Sequence, residues 1–139
     1  MFDLNRFIEA QKDSYEIALD ELRAGHKKSH WIWYIFPQQA TLGVSANSKY
    51  YGMSSLEEAQ AYIAHSILGS RYLECIEALM EHRDRPIAEI MGTNLDAMKF
   101  LSSLTLMSSV CDKKILREAI CKFYSDASYQ EALRLLPER

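Results

Sequence analysis

The chain has 139 residues, of which 48% are hydrophobic and 25% are charged, and its formal net charge is −3. This composition is typical of a globular domain and excludes the broad basic surface that nucleic-acid binding requires. No segment approaches the roughly 18 consecutive apolar residues that cross a bilayer, and the first residues lack a signal-peptide pattern. We therefore predict one cytoplasmic domain, residues 1–139, with neither a nucleic-acid nor a membrane partner.

The predicted first helix is long. From Leu4 to Ala24, apolar residues recur at three- and four-residue spacing, which places them on one face of a helix. Asp3 fits the N-cap position, and Gly25 fits the position after the last helical residue, where a left-handed backbone is common.

The next segment, SHWIWYIFPQQ at Ser29–Gln39, concentrates four aromatic side chains. As a helix, residues 30–36 would be apolar on all sides and would need enclosure; as a strand, the two tryptophans would share one face. The indole N–H groups and the Tyr34 hydroxyl need partners that a purely apolar core does not supply. Two interpretations stay open, a central core element and the wall of a pocket.

A long connection follows. Residues 37–54, PQQATLGVSANSKYYGMS, show no helical periodicity and far exceed the usual connection of about 4–6 residues. Connections of this length are often functional, and this one begins at the aromatic segment. The alternative is an ordered loop without a function.

Capping signals predict helices in the rest of the chain. Ser55 followed by Glu58 opens a helix to about residue 65, and Thr93 followed by Asp96 opens one over residues 94–110. The other predicted helices, with their starting signals, are 70–83 (after Gly69), 86–91 (Pro86, ending at Gly92), 113–124 (Asp112) and 129–136 (Ser128 with Glu131). No hairpin signal is present. We predict an all-α, compact multihelical domain of about seven helices with one long loop after the second helix.

The cysteines and histidines do not predict a metal or redox site. Cys75, Cys111 and Cys121 include no CxxC pair, and the four histidines include no HExxH motif. These patterns are the usual signatures of zinc and disulfide sites. We predict free thiols, no metal and no cofactor.

Several short motifs resemble one bacterial family. They are RFxxAQ at 6–11, ELRAG at 21–25, SHWxWxIFPQ at 29–38, EAxAYxxH at 58–65, LGxR at 68–71 and DxxKxxSSxTL at 96–106. Together they resemble the family called domain of unknown function 1810, of multihelical Rv-type fold, which is sometimes labelled calpastatin-like. The resemblance implies a compact all-α fold and no established activity. Calpain inhibitors of that name are extended and disordered, whereas this chain has the composition of a folded domain.

The motif at 96–106 directs attention to Lys99, which precedes Ser102 and Ser103 by three and four residues, so that an ammonium and a hydroxyl could meet on a helix. Such a pair can act as a nucleophile if the lysine is neutral; alternatively the serines permit close helix packing, or Lys99 anchors an anion such as a phosphate. The predicted ligand-binding residues are His30, Trp31, Trp33, Tyr34, Gln38, Ser48, Tyr50, Lys99, Ser102 and Ser103.

These residues favour two functions. In the first, a small planar or nucleotide-like ligand binds in an aromatic-lined pocket. If the protein is an enzyme, we expect hydrolysis of a glycosidic or phosphate linkage, with Asp96 or Glu58 as the general base. In the second, exposed aromatic side chains of a helical interaction module contact a protein partner. In either case we expect a monomer or a weak homodimer.

Overall fold

A computed structural model describes residues 2–42 and 44–137, so that Met1, Gly43 and the last two residues of the predicted domain lie outside it. Within the described ranges the chain forms ten α-helices. Their bounds are α1 Asn5–Lys12, α2 Tyr15–Ala24, α3 Ile32–Ile35, α4 Ala46–Tyr50, α5 Leu56–Ala64, α6 Leu68–Met80, α7 Ile87–Met91, α8 Asn94–Ser108, α9 Lys114–Phe123 and α10 Asp126–Arg134. The all-α prediction is confirmed, but about seven helices was too low a number.

One of the additional helices arises because the predicted first helix divides into α1 and α2 at Asp13 and Ser14. The break follows Gln11, whose buried side chain donates a hydrogen bond to the backbone carbonyl of Tyr34 at 2.7 Å. The buried residues Phe7, Gln11, Tyr15, Ala18 and Leu22 keep three- and four-residue spacing through the break, so that spacing alone did not predict it. Asp3 is not the N-cap, a position that Leu4 takes without a side-chain hydrogen bond. Gly25 ends α2 as predicted, with φ of 75°.

The other additional helices, α3 and α4, are only 4 and 5 residues long. Helices this short do not complete the two turns over which an apolar stripe can be recognised. The helical interpretation of residues 30–36 therefore holds for 32–35. The long connection is ordered where it is described: it contains a 3₁₀ turn at Ala40–Leu42 and α4, and a bridge between Gln39 and Met53 closes it at its base.

Of the four N-caps predicted for later helices by Ser55, Thr93, Asp112 and Ser128, two are confirmed and two were wrong. The hydroxyls of Ser55 and Thr93 accept hydrogen bonds from the amides three residues later, at 3.1 and 3.0 Å. Lys113, not Asp112, is the N-cap of α9. The N-cap of α10 is Ser125, whose hydroxyl accepts from the amide of Ser128 at 3.1 Å. Only Ser128, three residues before Glu131, fits the capping-box pattern, so the pattern selected the wrong serine.

Helix α8 is the centre of the fold. It packs against α3, α5, α7, α9 and α10, and most of its residues are buried. On its inner side, the rings of Phe36 and Phe100 lie with centroids 4.5 Å apart, and Phe36 contacts Tyr72 edge to face at 5.5 Å. In the part of the chain that the structure describes, no helix is both long and apolar enough to cross a membrane.

A buried ion pair ties the end of the long connection to α1 and α5. The Arg6 guanidinium lies 2.9 Å from the Glu58 carboxylate, and the two side chains are 9% and 4% exposed. Arg6 also donates hydrogen bonds to the carbonyls of Tyr50 and Gly52, at 2.8 and 3.1 Å. Glu58 in turn accepts from the amide of Ser54 at 2.7 Å. These bonds fix the backbone of residues 50–54, which forms one wall of the crevice described next.

Candidate functional site

A narrow crevice lies between α3, α8 and the segment from residue 38 to residue 52. Its volume is about 10 Å³, enough for one water molecule. The residues that line it are Ile32, Trp33, Phe36, Gln38, Ser48, Tyr51, Gly52 and Lys99. The crevice therefore brings together four of the predicted ligand-binding residues, namely Trp33, Gln38, Ser48 and Lys99.

Trp33 and Lys99 lie close together in the lining of this crevice. The indole Nε1–H of Trp33 is buried and has no hydrogen-bond acceptor among the described residues. The ammonium of Lys99 lies 5.2 Å from the centre of the Trp33 ring, close enough for a cation–π attraction. A buried N–H without an acceptor costs about 1–3 kcal/mol.

The electrostatics of the crevice depend on one carboxylate that faces two ammonium groups. Lys27 Nζ lies 2.8 Å from Asp96 Oδ2, whereas Lys99 Nζ lies 3.9 Å from Asp96 Oδ1. One carboxylate faces two ammonium groups, so these three side chains together keep one net positive charge. The N-terminus of α8, capped by Thr93, adds positive partial charge nearby. The crevice wall is thus locally cationic although the whole chain is acidic.

Lys27 was not predicted, because it follows α2 in a short basic run that indicates only a cation near a helix C-terminus. In the structure it is 8% exposed and also donates to the carbonyl of Ser29 at 2.7 Å. Its ammonium lies 5.0 Å from the centre of the Trp31 ring. No local sequence signal distinguishes this buried lysine from an exposed one.

Trp31, one of the predicted ligand-binding residues, lies in the core and does not line the crevice. It is 1% exposed, and its Nε1–H donates to Glu21 at 2.9 Å. Glu21 also accepts from the hydroxyl of Ser29 at 2.6 Å and from the amides of Lys28 and Ser29 at 2.8 and 2.9 Å. Burial alone would raise the pKa of Glu21, but the four donors outweigh it and lower the pKa to about 2.

The other predicted residues lie outside the crevice. His30 and Tyr50 are exposed, and Tyr34 is half-buried, with its hydroxyl donating to Ser14 at 3.0 Å. Ser103 is completely buried and shares a hydrogen bond of 2.9 Å with the hydroxyl of Tyr72. Ser102 lines a separate groove.

The predicted Ser–Lys pair is therefore not formed. Helical side chains lean toward the helix N-terminus, so Lys99 reaches back toward Asp96 and away from the two serines. The predicted general bases are also engaged: Asp96 is paired with Lys27 and Glu58 with Arg6. Among the described residues, no three His, Cys, Asp or Glu side chains are arranged to hold a metal ion.

Comparison with known proteins gives the family. A family model described as "Protein of unknown function (DUF1810)" matches residues 1–136. The chain belongs to the DUF1810 family. It is also similar to the crystal structure of the conserved hypothetical protein Rv1873 from Mycobacterium tuberculosis, with 40% sequence identity, a TM-score of 0.92 and 99% of each chain covered. A search of curated proteins found no match.

The motifs that indicated the DUF1810 family hold distant parts of the chain together. Arg6 of the first motif pairs with Glu58 of a later one. Gln11 donates to the hydroxyl of Tyr62 at 3.0 Å. At Gly69, a Cβ atom would lie 2.0 Å from the backbone oxygen of Ile63, so that no larger residue fits. Most of these motif residues therefore explain the fold, whereas Trp33 and Lys99 also line the crevice.

Glu21 makes the stability of this DUF1810 protein depend on pH. Its pKa is lowered from 4.5 to about 2, so its stabilising contribution is complete above about pH 4.5 and is lost as the pH falls toward 2. In Glu21→Gln, the free energy of unfolding should fall by about 1–2 kcal/mol less than in the wild type as the pH is lowered from 5 to 2.5. This value is reduced to allow for the partial exposure of Glu21. Urea unfolding at pH steps from 5 to 2.5 measures it. Glu131→Gln, which changes an exposed carboxylate on α10, should keep the wild-type profile; identical profiles for the wild type and Glu21→Gln would contradict the prediction.

Proposed function

We propose that this DUF1810 protein binds a small planar molecule that carries an anionic group, and that the crevice between α3 and α8 is the binding site. One observation carries the proposal. The Trp33 Nε1–H is buried without an acceptor, and Trp33 lines the crevice together with Lys99, whose ammonium is 3.9 Å from its nearest carboxylate. A phosphate or carboxylate oxygen would accept from both groups.

The crevice admits such a ligand only if Lys99 moves, because its volume of about 10 Å³ is far below that of a nucleotide. Lys99 is held weakly, by an ion pair of 3.9 Å and by the ring contact at 5.2 Å. Its four-carbon stem is flexible. If the ammonium moves to the mouth of the crevice, it exposes one face of Trp33 for stacking and remains available to an anion. A nucleoside monophosphate combines these two chemical features.

Gln38 and Ser48 supply the orienting groups in this proposal. Both line the crevice, and they offer an amide and a hydroxyl that can donate to or accept from a ligand. The Ser48 hydroxyl shares a hydrogen bond of 2.8 Å with Ser45, which leaves it capacity for two further hydrogen bonds. Hydrolysis is not part of the proposal, because Asp96 and Glu58 are held by Lys27 and Arg6.

Isothermal titration calorimetry with AMP, adenosine and inorganic phosphate tests the proposal. AMP should bind more tightly than either fragment, since it can both stack and pair. Lys99→Met keeps the length of the side chain and removes its charge, and should weaken AMP binding about tenfold or more. Trp33→Phe keeps a ring and removes the N–H, and should weaken it by a smaller factor.

Lys114→Met is the matched control, since Lys114 is an exposed lysine of α9, with 82% of its side chain accessible. It should bind AMP as the wild type does. Equal weakening by Lys114→Met and Lys99→Met would show a non-specific charge effect and overturn the proposal. Absence of heat with all three compounds at millimolar concentration would also overturn it.

A further inference from the structure

A second concavity, which shares no lining residue with the crevice, lies between α7, α8 and α10. Its volume is about 560 Å³, within the range of about 300–1,000 Å³ that is typical of small-molecule pockets. Its lining includes the four alanines Ala88, Ala97, Ala127 and Ala132, whose short side chains leave space between the helices. We call this concavity the alanine groove.

We infer that the alanine groove binds an uncharged, mainly apolar small molecule. Its floor is deep, since Ala97 and Leu101 line it and are only 5% and 6% exposed. A deep apolar floor is typical of a ligand pocket, whereas a protein interface needs a wide surface of about 800 Å² on each partner. In the lining, the polar side chains Asn94 and Ser102 form no hydrogen bond with any other described residue. They are available to orient one polar group of the ligand.

The charge of the lining indicates the class of ligand. Glu131 is its one charged side chain, and no lysine, arginine or histidine is among the described residues that line the groove. A fatty acid or another anion would therefore enter an apolar space whose described lining supplies no cation to pair with it, which is unfavourable. A cation is not required either, because Arg134 already pairs with Glu131 at 2.7 Å. An uncharged molecule fits both observations.

Two fluorescent probes with the same aromatic skeleton test this inference. N-Phenyl-1-naphthylamine is uncharged, whereas 1-anilinonaphthalene-8-sulfonate carries an additional sulfonate. The uncharged probe should bind the folded protein with a dissociation constant at least about tenfold lower than that of the sulfonate, since each tenfold corresponds to about 1.4 kcal/mol. Equal or tighter binding of the sulfonate would overturn the inference.

Variants that fill the groove locate the bound probe. Ser102→Phe adds a ring at a position whose hydroxyl has no partner, and Ala127→Phe adds one from the exposed side of α10. Each should abolish binding of the uncharged probe while the circular-dichroism spectrum stays helical; the second serves if the first does not fold. Gln60→Phe, at an exposed position of α5 outside the groove, is the matched control and should bind the probe normally.

The alternatives give different results. If both filling variants fold and still bind the probe, the groove is not the site. If sedimentation equilibrium shows a dimer that the filling variants dissociate, a second copy of the chain occupies the groove and the inference is overturned. Lys99→Met should leave probe binding unchanged, because the inference does not rest on the crevice.

Discussion

Replacing Arg6 with methionine is expected to lower the free energy of unfolding by about 3–5 kcal/mol, the usual cost of removing one partner of a buried ion pair. The guanidinium lies 2.9 Å from the Glu58 carboxylate, and Glu58 is 4% exposed. Without Arg6 that charge stays buried and uncompensated. The carbonyls of Tyr50 and Gly52 also lose their donor. Urea unfolding at pH 7 measures the change.

A double-mutant cycle separates the buried charge from lost packing. The double variant Arg6→Met/Glu58→Gln removes both charges. Its loss of unfolding free energy should be smaller than the sum of the losses in the two single variants. Arg134→Met is the matched surface control: its pair with Glu131 has side chains 72% and 62% exposed, and the variant should change stability by less than about 1 kcal/mol. If Arg6→Met and Arg134→Met lower the free energy of unfolding equally, the buried Arg6–Glu58 pair stabilises the fold no more than a surface pair does.

Local signals predicted the parts of the fold that are determined locally. Gly25 ends α2 with a left-handed backbone, and Ser55 and Thr93 cap their helices as expected. In each case the signal and the structure involve residues within one helical turn. At α10 the capping-box pattern selected Ser128, but Ser125 is the N-cap, because a serine hydroxyl can accept from the amide three residues later without a Glu or Gln at that position.

The candidate site could be predicted only in part, since it depends on contacts between residues far apart in the chain. The aromatic segment and Lys99 were identified, and the structure places Trp33 and Lys99 together. Lys27 was missed because only its contact with Asp96, across the fold, distinguishes it from an exposed lysine. Ser102 and Ser103 have the right spacing from Lys99, but spacing does not include the direction in which helical side chains lean.

The two tryptophans show the same limit most clearly. Helix α3 has 4 residues, so periodicity could not indicate which indole faces the core. Trp31 precedes α3 and is buried against Phe36, with ring centroids 6.0 Å apart. Trp33 lies within α3 and is half-buried at the crevice. The difference between a core residue and a residue of the wall is therefore set by helices that pack from elsewhere in the chain.

Substitution of each tryptophan by alanine should measure that difference. Trp31→Ala is expected to destabilise the protein by about 3–5 kcal/mol, because it empties a fully packed position and removes one donor from Glu21. Trp33→Ala should cost about 1–2 kcal/mol, since its ring is half-buried and its loss also removes a buried N–H that has no acceptor. Urea unfolding with circular dichroism detection compares the two, because it does not depend on tryptophan fluorescence.

Trp31→Phe supplies the control within the same position. It keeps an aromatic ring beside Phe36, but it loses part of the volume and the hydrogen bond from Nε1–H to Glu21. Its stability should therefore lie between those of the wild type and Trp31→Ala. If Trp33→Ala lowers the free energy of unfolding as much as Trp31→Ala does, both indoles belong to the core. The crevice would then have no aromatic face to offer a ligand, and the proposed binding function would fail with it. A small loss for Trp33→Ala, together with intact folding, leaves the Trp33 variants usable for the binding measurements with AMP.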